Sequence, residues 1–351
     1  MDGMLLVKAL IALTPVGLLL VLFDRLDVFN VIRMRTILTL VAVGAAIATV
    51  SFIANWRVMD GFPIGMGNYS RYIAPIVEET LKAAPLLWLF FRNRIGFKLD
   101  AAIAGFAIGA GFSVIENLWY LFTLPDTNVS AWLVRGFGTA VMHGGATALF
   151  AVISHEMTER QADASAAMYR FNPLLFLPGL GVAIVIHSAF NHLGGQPLLA
   201  MAATLMLIPA TLFLTFARND RAARQWLKTD QARHIQLLAD IRAGRFAETN
   251  GGHALKALAA RLPQQRASAI MAYAELNIEM VLRAEELMLV AQESGSVSIT
   301  DADRENLRRL ASSERELGAA TVAAVTAALG LTRNDLWELQ SFRRRAFTSF
   351  G

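Results

Sequence analysis

Apolar residues dominate the first 216 positions in runs of roughly 20, the length that crosses about 30 Å of hydrocarbon as a helix. The runs lie at 4–23, 36–55, 72–91, 101–123, 132–153, 173–193 and 198–216. By length and hydropathy they predict about seven membrane spans. The first has only Lys8 near its amino end and no small-residue cleavage pattern before Asp24, so it reads as a retained span rather than a signal peptide. Beyond residue 216 charged residues recur every few positions, and apolar ones fall at helical spacing, as at Ile270, Ala274, Ile278, Val281 and Leu282. Breaks are expected at Asn250-Gly251-Gly252, at Pro263 and at Ser294-Gly295-Ser296. Thr300 with Asp301 and Asp303 reads as a helix start. The predicted fold class is all-α: a polytopic membrane helix bundle of about seven spans over 1–216, then a soluble helical cytoplasmic domain, 217–351, of unassigned role.

Basic residues orient the bundle, because lysine and arginine collect on the cytoplasmic side. Arg25, Arg33 and Arg35 follow the first run, Arg92, Arg94 and Lys98 the third, Arg160 and Arg170 the fifth, and Arg218, Arg221, Arg224 and Lys228 the seventh. The other side holds Arg57, Arg71 and, just inside the fifth run, Arg135. The amino terminus is therefore expected outside and the tail in the cytoplasm, as in a multi-pass protein of the inner cell membrane. The chain is 351 residues long, 55% hydrophobic and 17% charged. A net charge of +4, spread over loops, suits a lipid bilayer and forms no nucleic-acid stripe. The absence of cysteine removes disulfides, thiolate ligands and cysteine nucleophiles.

Against this background a few polar residues stand out, since a charge near the centre of a membrane helix costs roughly 3 kcal/mol. They are Glu78, Glu79 and Lys82 on the third run, Glu116 and Asn117 on the fourth, His143 on the fifth, and His187 with Asn191 on the sixth. At 1.5 Å per residue, Glu78, Glu116 and His187 fall about 9–10 Å below the outer face, and His143 about 16 Å. Four helices so bring polar groups to similar depth in the outer leaflet. Residues four apart share a helix face. That relation joins Glu78 to Lys82, Phe112 to Glu116 and His187 to Asn191, and it turns Glu79 about 100° away from Glu78. An ion pair of one glutamate with Lys82 is expected, and either glutamate remains open as the chemical one. A lone His or Asn in a span is commonly a helix–helix hydrogen bond. Three carboxylates at matched depth exceed what packing requires, and a carboxylate with two polar groups to hold an oxyanion is what peptide hydrolysis needs. Other signatures fail. His155-Glu156 lacks the second histidine of a zinc-protease helix, because Glu159 stands there, and Ser113 lacks the glycine of a nucleophile elbow, because Ile115 stands there. In the tail, His234 and His253 read as solvated or packing residues.

Glu78-Glu79-Thr-Leu-Lys82, Phe112-Ser-Val-Ile-Glu116-Asn117 and His187-Ser-Ala-Phe-Asn191 resemble, in type and order, the motifs of the PrsW family of intramembrane proteases. The resemblance spans about 72–193 and leaves out the tail. It implies an intramembrane endopeptidase that cuts membrane-anchored protein substrates near the extracytoplasmic face, in a regulatory cascade such as anti-sigma-factor release. A looser similarity to the CAAX prenyl endopeptidases implies Glu78 as the base that activates water, with His187 and Asn191 as oxyanion donors. Here Lys82 replaces a later arginine of that wider group and Glu116 replaces a histidine. Glu78 or Glu79, Glu116, His143 and His187 could hold zinc with a position left for water. Two carboxylates without a metal could also serve, and with no dense ligand motif on one helix the sequence leans to that mechanism. Two readings compete with the protease: a proton-coupled transporter using the Glu/His relay, and a non-catalytic scaffold or sensor whose tail binds a cytoplasmic protein.

Overall fold

The computed structural model describes residues 3–26, 34–61, 64–124, 127–165, 171–294 and 298–347. Arg33, Arg170, Gly295 and Ser296, used above, lie outside them. The described residues form helices and no strand. The first part contains α1 (Gly3–Leu26), α2 (Met34–Gly61), α3 (Ala74–Phe91), α4 (Lys98–Thr123), α5 (Ala140–Ser165), α6 (Leu177–His192) and α7 (Pro197–Arg242). A π-wound segment, Tyr69–Ile73, leads into α3, and another, Val134–Thr139, leads into α5 after a short helix at Val129–Leu133. The tail contains α8 (Asn250–Ala259), α9 (Gln264–Ser294), α10 (Asp301–Leu317), α11 (Ala319–Ala328) and α12 (Arg333–Phe347). The chain divides into two compact units, Met1–Glu159 with Phe171–Asn219 and Arg160–Arg170 with Asp220–Gly351.

Among the described residues five helical stretches are long and apolar enough to cross a membrane: Met34–Gly61, Lys98–Thr123, Val129–Gln161, Pro173–Gly195 and Pro197–Thr215. Two of the expected spans differ from these. The run at 4–23 falls in α1, where the apolar stretch is the shorter Leu6–Leu18 and Pro15 sits inside the helix. The run at 72–91 is α3, which carries Glu78, Glu79 and Lys82 and is set apart by the residues that make it chemically interesting. Leu38, Val50 and Ile53 on α2, Trp88 and Phe91 on α3, Val185 on α6 and Met206, Leu207 and Phe213 on α7 point outward and are exposed. So much outward apolar surface is foreign to a water-facing bundle and suits hydrocarbon. The protein is an integral membrane protein.

The membrane unit is built around α4 and α5. The most apolar window of α4 is 78% buried and that of the Val129–Gln161 stretch, which holds most of α5, is 83% buried, against 28% for that of α2, so these two are central and α2 is a wall. Glycines make this possible. Gly44 of α2 meets the Ile108 carbonyl of α4, and Gly111 of α4 meets the Val41 carbonyl of α2. Gly105 and Gly109 meet the carbonyls of Thr147 and His143 on α5. A methyl at any of the four positions would collide with backbone, so the small residues set how closely both neighbours approach. At the opposite end of α5, His155 Nε2 bonds the Gly96 carbonyl at 2.9 Å and fixes the turn before α4.

In the second unit α9 runs through the core, burying Ile270, Tyr273, Ala274, Ile278 and Val281 with Leu307 and Leu310 of α10 and Phe342 of α12. The expected break at Asn250 is a helix start, where Thr249 Oγ1 accepts from the Gly252 N–H at 3.0 Å. The expected start at Thr300 is a reciprocal cap, with Thr300 Oγ1 accepting from Asp303 N and Asp303 Oδ2 accepting from Thr300 N.

Because Gly109 has α5 backbone against it, Gly109→Ala is expected to cost about 1–3 kcal/mol by forcing the two helices apart. Thermal unfolding in detergent checks this, with the exposed Gly17→Ala as the neutral comparison.

Candidate functional site

The polar residues of α3, α4, α5 and α6 meet in the membrane unit, and Lys82 lies at the back of the group. Its side chain is fully buried, Nζ is 2.6 Å from Glu79 Oε1 and 2.8 Å from His143 Nδ1, and it rests over the Phe112 ring, 4.3 Å from the centroid. The lysine thus pairs with Glu79, three residues away, and the expected face shared with Glu78 is not the one used. Both spacings are neighbours on a helix. The choice is made by the other helices, since a long cationic arm turned inward finds the His143 nitrogen and an aromatic face together.

That choice separates the two glutamates. Glu79 is 2% exposed, and the same Oε1 that meets Lys82 lies 2.8 Å from His187 Nδ1. Glu78 turns the other way, where its Oε1 accepts from Asn55 Nδ2 at 3.0 Å. Tyr69 in turn donates its hydroxyl to Asn55 Oδ1 at 2.8 Å, so the orientation of Glu78 is set from α2 and from the π-wound lead into α3.

The hydrogen bonds also assign the imidazole protons. A carboxylate only accepts, so His187 carries its proton on Nδ1 toward Glu79, and the Nε2 lone pair is left facing Glu78. An ammonium only donates, so Lys82 requires His143 Nδ1 to accept, and Nε2–H donates to Glu116 Oε2 at 2.9 Å. Glu116 Oε1 lies 3.9 Å from Arg135 Nη1, and the Arg135 guanidinium stacks on Tyr120 at 3.5 Å. The two imidazoles stand edge to face, 4.7 Å between centroids.

Glu78, Glu116, His143, His187 and Asn191 line one cavity of about 650 Å³, walled on its apolar side by Phe52, Trp56 and Trp119. Asn191 Nδ2 donates to the Ser70 carbonyl at 2.7 Å, and Ser188 Oγ donates to the Arg71 carbonyl at 2.7 Å. These two bonds tie α6 to the segment before α3. Besides Glu79 and Lys82, two more predicted residues lie off the cavity wall. Asn117 is buried and donates to the Ala12 carbonyl of α1 at 3.3 Å, and Phe112 packs its ring 5.1 Å from that of His143. Asn55, Tyr69 and Arg135 were not singled out for the site by the sequence. Asn55 and Tyr69 sit at span ends, where polar residues are ordinary, while Arg135, a cation inside an apolar run, was the one available signal.

Glu78, His143 and His187 each offer a ligand-type atom, and these atoms lie within 4.8 Å of one another. Glu79 is not among them; its Oε1 is held by Lys82 and His187. One carboxylate and two imidazoles make a common catalytic zinc complement; His187 Nε2 is open for it, whereas His143 joins only when Lys82 gives up its Nδ1. His187 Nε2 and Glu78 Oε2 are 3.9 Å apart, too far for a hydrogen bond, so neither is committed to the other. Behind the imidazoles, Glu79 orients His187 as the carboxylates behind metal-bound histidines do.

A family model described as PrsW family intramembrane metalloprotease matches residues 33–217. No curated protein and no solved structure matches the chain. The matched region covers the described cavity and leaves the tail outside.

Lys82→Ala leaves the Glu79 carboxylate buried without its cation and is expected to destabilise the protein by about 3–5 kcal/mol. Lys82→Met combined with Glu79→Gln removes both charges and should recover a large part of that loss. A double-mutant cycle on unfolding midpoints in detergent measures the coupling, and additive effects would contradict the pairing.

Proposed function

We propose, since the chain belongs to the PrsW family of intramembrane metalloproteases and is an intramembrane peptidase, that it hydrolyses membrane-anchored protein substrates near the extracytoplasmic face. The observation that carries the chemistry is the convergence of Glu78, His143, His187 and Glu116 on one cavity inside a membrane unit. The arginine-rich segments after the first, third, fifth and seventh apolar runs support an amino terminus outside and a tail in the cytoplasm. With that orientation the cavity opens toward the outer leaflet, and cleavage there suits the release of a membrane-tethered regulator.

Glu78 and His187, through its free Nε2, would hold the ion, with His143 a third ligand only once Lys82 no longer donates to its Nδ1, zinc being the best match to these donors. When bound it supplies a Lewis acid for the scissile carbonyl and lowers the pKa of water. Glu116 is the remaining carboxylate on the cavity wall and takes the general-base role. It receives the proton of the attacking water and returns it to the leaving amine. Arg135 lies 3.9 Å from Glu116 and, stacked on Tyr120, stays aimed at it. Asn191 uses one amide hydrogen on Ser70, and its second faces developing negative charge on the substrate oxygen. Glu79 and Lys82 are positioning residues. The first holds the His187 proton on Nδ1 and so leaves its Nε2 lone pair to the cavity; the second takes the His143 Nδ1 lone pair and so leaves Nε2–H to Glu116.

Two substitutions separate these roles. Glu78→Gln is expected to lose bound metal and activity together. Glu116→Gln should keep the metal while kcat falls by about 10²–10⁴-fold. Metal analysis of the purified variants beside cleavage of a single-span reporter reads both. Activity surviving either substitution would overturn the assignment, and full activity in a strong chelator would return the base role to Glu78 acting without a metal.

A further inference from the structure

The second unit buries another set of ligand-type side chains. Asp230 and His234, four apart on α7, meet Glu285 of α9 and Asp335 of α12, and each offers an atom within 4.8 Å of the others. All four are buried, with Asp230 the most exposed at 7%. The cluster was not visible in the sequence, where His234 read as a solvated or packing residue; it is fully buried and bonded on both ring nitrogens. Three acids in a dry core are costly unless cations and hydrogen bonds compensate them.

Part of that compensation comes from one arm. Arg233 Nη2 lies 2.7 Å from Asp230 Oδ1, 2.9 Å from His234 Nε2 and 3.5 Å from Asp335 Oδ2. It stands where lone pairs from three residues converge, the place a cation would take. The Arg233 side chain is 41% exposed, so the arm enters from the surface and can leave by the same way. His234 Nδ1 bonds Glu285 Oε1 at 2.6 Å, which sets the ring so that Nε2 points into this convergence, the relation that carboxylates have to metal-bound histidines.

The cluster also has acceptors to spare. Asp335 Oδ2 takes the Thr332 N–H at 2.6 Å, but Asp335 Oδ1, Asp230 Oδ2 and Glu285 Oε2 accept no hydrogen bond. Glu338, one turn beyond Asp335, is 1% exposed, has neither oxygen bonded, and lies within electrostatic reach of Glu285, Asp335 and Asp230. Both of its oxygens are therefore left as unused acceptors beside the cluster.

We propose that this cluster binds a divalent first-row transition ion, with Asp230, His234 and Asp335 as ligands, Glu285 orienting His234, Glu338 supplying further negative charge, and Arg233 as the resident cation that the ion displaces. The imidazole directs the site toward manganese, iron or zinc, because calcium and magnesium take all-oxygen sets. The site is separate from the cavity of the membrane unit and lies outside the matched family region.

Manganese titration of the full-length protein tests this, followed by the electron paramagnetic resonance signal of the free ion after chelator treatment and dialysis. Glu78→Gln with His187→Ala forms the background, so that the membrane cluster does not contribute, and the wild type is titrated in parallel. One saturable equivalent is expected in the background protein, displaced by zinc. Asp335→Asn should weaken it by about 10–100-fold. Arg233→Ala keeps every ligand, removes the competitor and should tighten binding. No saturable equivalent in the background protein or in Arg233→Ala overturns the proposal, as does unchanged affinity in a folded Asp335→Asn protein.

Discussion

A lysine that never reaches solvent organises the membrane unit. Lys82 holds Glu79 on one side and His143 on the other, and Glu79 holds His187. The proton positions on two imidazoles from two different helices therefore follow from the charge of one side chain on a third. Such a buried pair is weak evidence for stability, because desolvation offsets most of its attraction. What it supplies is orientation, since each member has one arrangement in which its partners are satisfied. Glu78 is released from pairing by the same choice and is left with its oxygens toward Asn55 and the cavity.

Close helix packing gives that organisation its dimensions. Gly109 brings the backbone of α4 against the His143 carbonyl, and Gly111 and Gly44 bring α2 against the other side of α4. Larger residues at these positions would move His143 away from Lys82 and Asn55 away from Glu78. The glycines and the charged network are parts of one device, in which the first sets the distances that the second requires.

Much of this was legible in the sequence and some was not, for physical reasons. Charges in apolar runs are costly enough to mark Glu78, Glu79, Lys82, Glu116 and His187, and helix rise was enough to put them at similar depth. The partner of Lys82 was not readable. Positions three and four residues back are both within reach, and the deciding contacts, His143 and Phe112, lie on other helices. Among the described residues fewer helices qualify as spans by composition than there are apolar runs, because α3 carries three charges and the apolar stretch of α1 is short. Asn117 illustrates a residue inside a motif that faces away from the cavity, toward α1. In the tail, the periodicity of α9 and the cap at Thr300 could be read locally. The acids around His234 come from helices far apart in the chain, and no local pattern announces them.

The polar wall of the cavity has a consequence for the proposed reaction. The substrate that reaction implies is itself a membrane helix. Its peptide bonds are engaged by their own hydrogen bonds until a few residues unwind, and the polar wall of Glu116, His187 and Asn191 can only address a stretch that has already done so. On the proposed function, discrimination would fall on how readily a membrane helix comes apart at one point, with glycine, proline and polar residues in the substrate acting as weak places rather than as letters of a code.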